Sequence, residues 1–231
     1  MRQKNYILKG GCEILMDFLI YYFVNQLIQV TGIAYLEQYR EYLSFSVLGT
    51  EVFLLLRGFV LLAAFLFAGL AVFPYYQKEK VYLENTSSFK KEYLVIPAAG
   101  GAAALFLNYL WSLNPYFMEN TAYRSVAEQQ YSYPLWLGLM IYGMAAPIAE
   151  EIMFRGIMYN ILRRSMGIKQ AIVISSFLFG MFHGNIVQAA YGMVMGTIMA
   201  YIYEKYHSLK VPVLFHSGAN VTVYFLQKVF E

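Results

Sequence analysis

Three short stretches in the second half of the chain carry side chains able to break a bond. They are Glu150-Glu151-Ile152-Met153-Phe154-Arg155, Phe179-Gly180-Met181-Phe182-His183 and His216-Ser217-Gly218-Ala219-Asn220. Hydrolysis of an amide needs a group that takes a proton from water and donors that hold the charge developing on the carbonyl oxygen. Glu150 suits the first task. His183 and His216 can orient the water and donate to the oxyanion, or instead bind Zn2+, which makes a bound water easier to deprotonate. Asn220 can donate to the oxyanion. Residues four apart share a helix face, so Glu151 and Arg155 are expected to pair and hold their helix in place. Glu150 is turned about 100° from Glu151 and can address another helix. By the same spacing Phe179 can buttress His183, and His216 and Asn220 can act on one atom.

The elements that must position these residues are membrane helices. Of 231 residues, 59% are hydrophobic and 13% charged, against about half and about a quarter in soluble domains. A span needs roughly 20 mostly apolar residues. Candidate stretches are Cys12 to Ile33, Val52 to Phe73, Tyr93 to Leu113, Leu135 to Leu162, Ile168 to His183, Ile186 to Tyr203 and Val211 to Val229. The first is the most polar, with Glu13, Asp17, Asn25 and Gln26, and could lie partly in the membrane interface. It follows a short basic start and has no small-x-small cleavage pattern, so it reads as a retained helix. The fifth is short and could be enclosed by the others. The length suggests one domain.

Charge placement supports this layout. With the N-terminus in the cytoplasm, the inner segments hold Arg2, Lys4, Lys9, Lys78, Lys80, Lys90, Lys91, Arg163, Arg164, Lys169, Lys205 and Lys210. The outer segments hold only Arg40, Arg124 and Lys228, and Arg57 and Arg155 fall within helices. That asymmetry is the positive-inside pattern. Tyr21, Tyr22, Tyr75, Tyr76, Tyr131, Tyr133 and Tyr203 fall near span ends, where amphipathic rings prefer to sit. Small residues at 98–104 and the Gly192/Gly196 pair predict close helix packing. The lone cysteine, Cys12, excludes an internal disulfide and reads as a buried packing residue. No basic nucleic-acid stripe or phosphate-binding glycine loop occurs.

Each candidate also has a plainer reading. Glu151 with Arg155 is first of all a buried ion pair, and a single histidine near a helix end is more often a satisfied polar residue. His207 reads as a solvated loop residue. The combination is what argues for chemistry. The chain has three histidines, and two fall in apolar stretches beside the one that carries Glu150. A charge at the bilayer centre costs about 2.5–3.5 kcal/mol on insertion scales, so two adjacent glutamates and an arginine there call for a role. Depth gives a check: at 1.5 Å per residue, Glu150 lies about 20 Å from Arg163 and His183 about 21 Å from Lys169. His216 lies only about 9 Å from Lys210, a mismatch that tilt, or a chain dipping inward before Pro212, would remove.

At these residues the sequence resembles the CPBP family of intramembrane proteases, also called Abi. This group contains CAAX prenyl endopeptidases and bacteriocin-processing or self-immunity proteins. The resemblance rests on Glu150, Glu151 and Arg155, then Phe179 and His183, then His216 and Asn220, in that order on separate helices. It implies an all-α, polytopic transmembrane bundle of about seven helices, or the eight common in the family, around a buried polar cavity. It also implies one integral membrane domain over 1–231 with its catalytic core at 141–225. The expected catalytic set is Glu150, Glu151, Arg155, His183, His216 and Asn220, with His183 and His216 as ligands if zinc is used. Catalytic zinc usually has three protein ligands; adding Glu150 completes them but leaves no base unless Glu151 is released from Arg155. The expected activity is cleavage of a membrane-associated or lipidated peptide in a multi-pass, N-in cell-membrane protein, with bilayer and substrate as partners, no nucleic acid, and a bacterial inner membrane as the setting. The alternatives are a non-catalytic scaffold or bacteriocin self-immunity protein, and a transporter using Glu and His as a proton relay.

Overall fold

The computed structural model describes residues 2–44, 47–84 and 91–230. Among them there are helices and no strand. The helices are α1 (Arg2–Glu37), α2 (Arg40–Ser44), α3 (Val47–Glu79), α4 (Ile96–Ser112), α5 (Pro115–Met118) and α6 (Thr121–Tyr131), followed by α7 (Leu135–Met166), α8 (Ile168–Phe182), α9 (Ile186–Tyr206) and α10 (Lys210–Phe230). All seven predicted long stretches are helices. Lys90 lies outside the described residues, as do the side chains of Arg2 and Lys4.

Three segments among the described residues are long and apolar enough to cross a membrane: Leu48–Tyr82, Leu135–Met166 and Ile186–Tyr206. Their burial ranks them. The apolar window of α7 is 72% buried, against 33% for α3 and 44% for α9, so α7 is the central post. The 15 residues of α8 reach only about 22 Å. That helix is not enclosed, since Val173, Phe177 and Met181 are exposed while Ser175, Ser176 and Phe179 face inward.

On the first helix Asp17, Tyr21 and Asn25 are buried, whereas Leu15, Leu19, Phe23 and Leu27 are exposed. This polar helix packs its polar face against the other helices and turns its apolar face outward. Tyr21, Tyr133 and Tyr203 are likewise buried, while Tyr22 and Tyr75 are exposed. Cys12, expected to be buried, is exposed.

Small residues set the closest crossings. A Cβ on Gly100 or Gly218 would strike the backbone of Phe215 or Pro97 respectively, so α4 and α10 meet backbone to backbone. A Cβ on Gly192 would lie 3.1 Å from Gly180 Cα, which sets α9 against α8. Between α7 and α8, Gly167 adopts φ +94°, a conformation that costs glycine little.

A polar clasp ties the basic end of α7 to its neighbours. Arg163 grips Glu204 of α9 through two bonds of 2.7 and 2.9 Å, and Tyr159 donates to the same carboxylate at 2.8 Å. Arg164 pairs with Glu79 of α3 and stacks 4.0 Å from the Tyr82 ring. Beyond α3, Glu84 accepts from Tyr76 and Tyr203, both at 3.0 Å. His207 closes α9 in a left-handed conformation, φ 51°, and is half-buried. The chain then turns inward: Ser208, Leu209 and Val211 are all buried. The start of α10 is thus packed against the bundle, and its His216 reaches Glu151 of α7 at 3.0 Å.

Candidate active site

The site is built on an irregular stretch of α7. Proline cannot donate a backbone hydrogen bond and clashes with the preceding turn. Before Pro147 the helix widens to π geometry at Ile141–Ala145, where the Ala146 N–H bonds Ile141 O. The next bond in that register would join residue 147 to Tyr142 O, and Pro147 has no N–H to give. Asn220 of α10 supplies the missing donor, with Nδ2 2.8 Å from Tyr142 O. A second π segment runs over Ile152–Tyr159. Such widened turns are frequent at functional sites, and here the two flank Ala146–Glu151.

Glu151 and Arg155 form the expected pair, at 2.9 Å and with both side chains fully buried. Arg155 also donates to the Gly196 carbonyl of α9 at 3.2 Å, and its guanidinium lies 4.4 Å from the centre of the Phe179 ring. Gly196 permits this approach: a Cβ there would lie 3.2 Å from Arg155 Nη2 and from Phe179 Cδ1. The same Glu151 oxygen that meets Arg155 is 3.0 Å from His216 Nδ1. A carboxylate paired to arginine accepts, so His216 carries its proton on Nδ1. Its Nε2 is then free, and lies 3.9 Å from Glu150 Oε2.

His183 ends α8 with Nδ1 2.9 Å from the Phe179 carbonyl. That oxygen can only accept, so this histidine too keeps a free Nε2. The Phe179 ring packs edge-on to both imidazoles, with centroids 5.0 Å from His183 and 5.8 Å from His216. Glu150, itself buried, has His216, His183, Glu151 and Arg155 around it. The structure therefore gathers Glu150, Glu151, Arg155, His183 and His216. It turns the Asn220 amide toward Tyr142 instead of toward the atom His216 addresses. Among the described residues no group of three or more His, Cys, Asp or Glu side chains is placed to hold a metal ion. A three-ligand zinc site therefore does not fit these side chains as they stand.

Sequence reasoning missed two contributors. Tyr21, read as an interface ring, is fully buried and has Glu150 and Glu151 as its charged neighbours; its i,i+4 spacing from Asp17 and Asn25 was the available signal. Gly196, read as a packing residue, also presents the carbonyl that Arg155 bonds.

The site thus sets the buried Glu150, Glu151 and His216 beside the half-buried His183 in an all-helical membrane architecture. Residues 132–222 match the family described as Rce1-like, type II CAAX prenyl endopeptidase Rce1-like, which bears out the resemblance read from the three patterns. The chain is also similar to a protein of Bacillus subtilis (strain 168) named "Putative membrane peptidase YdiL", with 30% identity over 91 residues. That match covers 39% of this chain and 37% of the relative. No solved structure matches this chain.

Proposed function

We propose that this protein is an intramembrane endopeptidase that hydrolyses a peptide bond in a membrane-associated or lipidated substrate. The observation that carries the reading is the buried Glu150 carboxylate beside the free Nε2 of His216, 3.9 Å away. Glu150 takes one proton from water, and the free Nε2 of His216, beside it, orients that water by accepting its other hydrogen. The water oxygen bonds the carbonyl carbon, the C–N bond breaks, and Glu150 returns the proton to the departing nitrogen. Arg155 holds Glu151, and Glu151 holds His216, so this pair positions the imidazole. Asn220 braces α7 at Pro147, and through α7 it sets the depth of Glu150.

In this reading the protein is a multi-pass cell-membrane protein of a bacterial inner membrane, with its N-terminus and the basic clasp around Arg163 and Arg164 in the cytoplasm. The test is reconstitution of the full chain in liposomes with peptides extracted from its host membranes. Cleavage by wild type and none by His216→Ala supports the reading. A proton flux that survives without any cleavage would replace it with the relay.

A further inference from the structure

We propose that Tyr21, on α1, donates its phenolic hydrogen to the carbonyl oxygen of the bond being cleaved. The inference rests on the peptidase reading and adds a residue outside the matched segment 132–222.

Helix α1 runs antiparallel to α7. A Cβ on Gly10 would meet the Ser165 and Ile161 side chains, the Phe18 ring lies 6.2 Å from that of Phe154, and Tyr21 has Glu150 and Glu151 as its charged neighbours. The register thus brings Tyr21 to the depth of the two carboxylates. Its side chain is fully buried, and its hydroxyl has no hydrogen-bond partner. A buried tyrosine hydroxyl usually finds a partner, and leaving one unmade is costly. Phenylalanine would pack as well here without that cost, so the hydroxyl calls for a role. The ring is held firmly, with its centroid 5.9 Å from that of Phe182. Phe182 in turn packs on Phe154 and His183, at 5.6 and 6.1 Å.

The chemistry needs such a donor. When the water oxygen bonds the carbonyl carbon, an electron pair moves onto the carbonyl oxygen. A neutral phenol can hydrogen-bond that oxygen without giving up its proton. The pair returns as the C–N bond breaks, and the proton on the leaving nitrogen comes from Glu150. The amide of Asn220, the donor expected from the sequence, gives one of its two N–H groups to Tyr142, so Tyr21 adds a second source of hydrogen bonds to that oxygen. Asp17 and Asn25, one turn to either side of Tyr21, are also buried, and Asn25 Nδ2 has no partner. A polar track on α1 therefore leads to the site.

Removing one oxyanion donor typically lowers kcat by about 10²–10³-fold. The experiment first identifies a peptide whose cleavage is lost in cells carrying Glu150→Gln, then measures kinetics on a synthetic copy of it with the full-length protein in liposomes. Tyr21→Phe is expected to lower kcat by about 10²-fold or more, with KM nearly unchanged and thermal stability kept. Ring-fluorinated tyrosines at position 21, which are stronger donors, are expected to raise kcat stepwise at a pH where they stay neutral. A kcat for Tyr21→Phe within a few-fold of wild type, or no response to fluorination, overturns the inference while the peptidase reading stands. Finding no peptide whose cleavage is lost with Glu150→Gln would overturn both.

Discussion

Replacing Arg155 by leucine probes how the site is held. Arg155 is fully buried, bonds Glu151 at 2.9 Å and the Gly196 carbonyl at 3.2 Å, and lies over Phe179 at 4.4 Å. Leucine removes all three contacts and leaves the Glu151 carboxylate in the interior with His216 alone. Breaking a buried pair from one side costs about 3–5 kcal/mol, because a charge is left uncompensated. At about 2–4 °C per kcal/mol for a chain of this size, the apparent Tm should fall by about 6–20 °C. Removing both charges is a different matter, since apolar replacement of a buried pair is often neutral. The double variant Glu151→Leu/Arg155→Leu should therefore unfold above the single Arg155→Leu. It should still be inactive, because His216 loses the carboxylate that orients it. Thermal unfolding of the purified protein in one detergent, followed by near-ultraviolet circular dichroism, reads all three. A single variant within about 1 kcal/mol of wild type, or a double variant below it, would refute the claim that this pair anchors α7.

Gly196→Ala should destabilise by about 1–3 kcal/mol, the usual cost of overpacking, since its Cβ would press on Arg155, Phe179 and Ser176 at 3.2 Å. Gly11→Ala, with nothing within 4 Å, should be neutral in the same unfolding assay. Burial pushes the Glu84 carboxyl above its ordinary range, against the hydrogen bonds from Tyr76 and Tyr203 that pull it down. The folded state then holds this proton more tightly than the unfolded one, so stability from Glu84 is greatest below pH 4.5 and declines as pH rises through the raised folded value. Glu84→Gln should flatten that part of the stability–pH curve; an unchanged curve would remove Glu84 as its source. Purified protein should cleave equally with and without chelator. Stoichiometric zinc lost together with activity, and absent from His183→Ala, would put a metal in the mechanism.

Much of the fold could be read directly, because helical spans follow from length and hydropathy alone. The three patterns also located the carboxylates and imidazoles, since i,i+4 spacing fixes which side chains share a face. Glu151–Arg155 and Phe179–His183 met as that spacing requires. What escaped depends on contacts between helices. The His216–Glu151 bond joins α10 to α7, and the spacing within either helix does not say which residues of the two meet. The Asn220–Tyr142 bond depends on a proline orphaning a carbonyl on another helix, which no local pattern reveals. The inward polar face of α1 was visible as Glu13, Asp17, Tyr21 and Asn25, four apart.

The most direct test of the central claim compares membrane and secreted peptides from cells carrying wild-type protein with those from cells carrying Glu150→Gln at equal abundance. The account predicts a defined cleavage product present with wild type and absent with the variant, its cut site naming the substrate class. Identical peptide sets, with a phenotype that still depends on the gene, would contradict it and leave a membrane scaffold or immunity protein in its place.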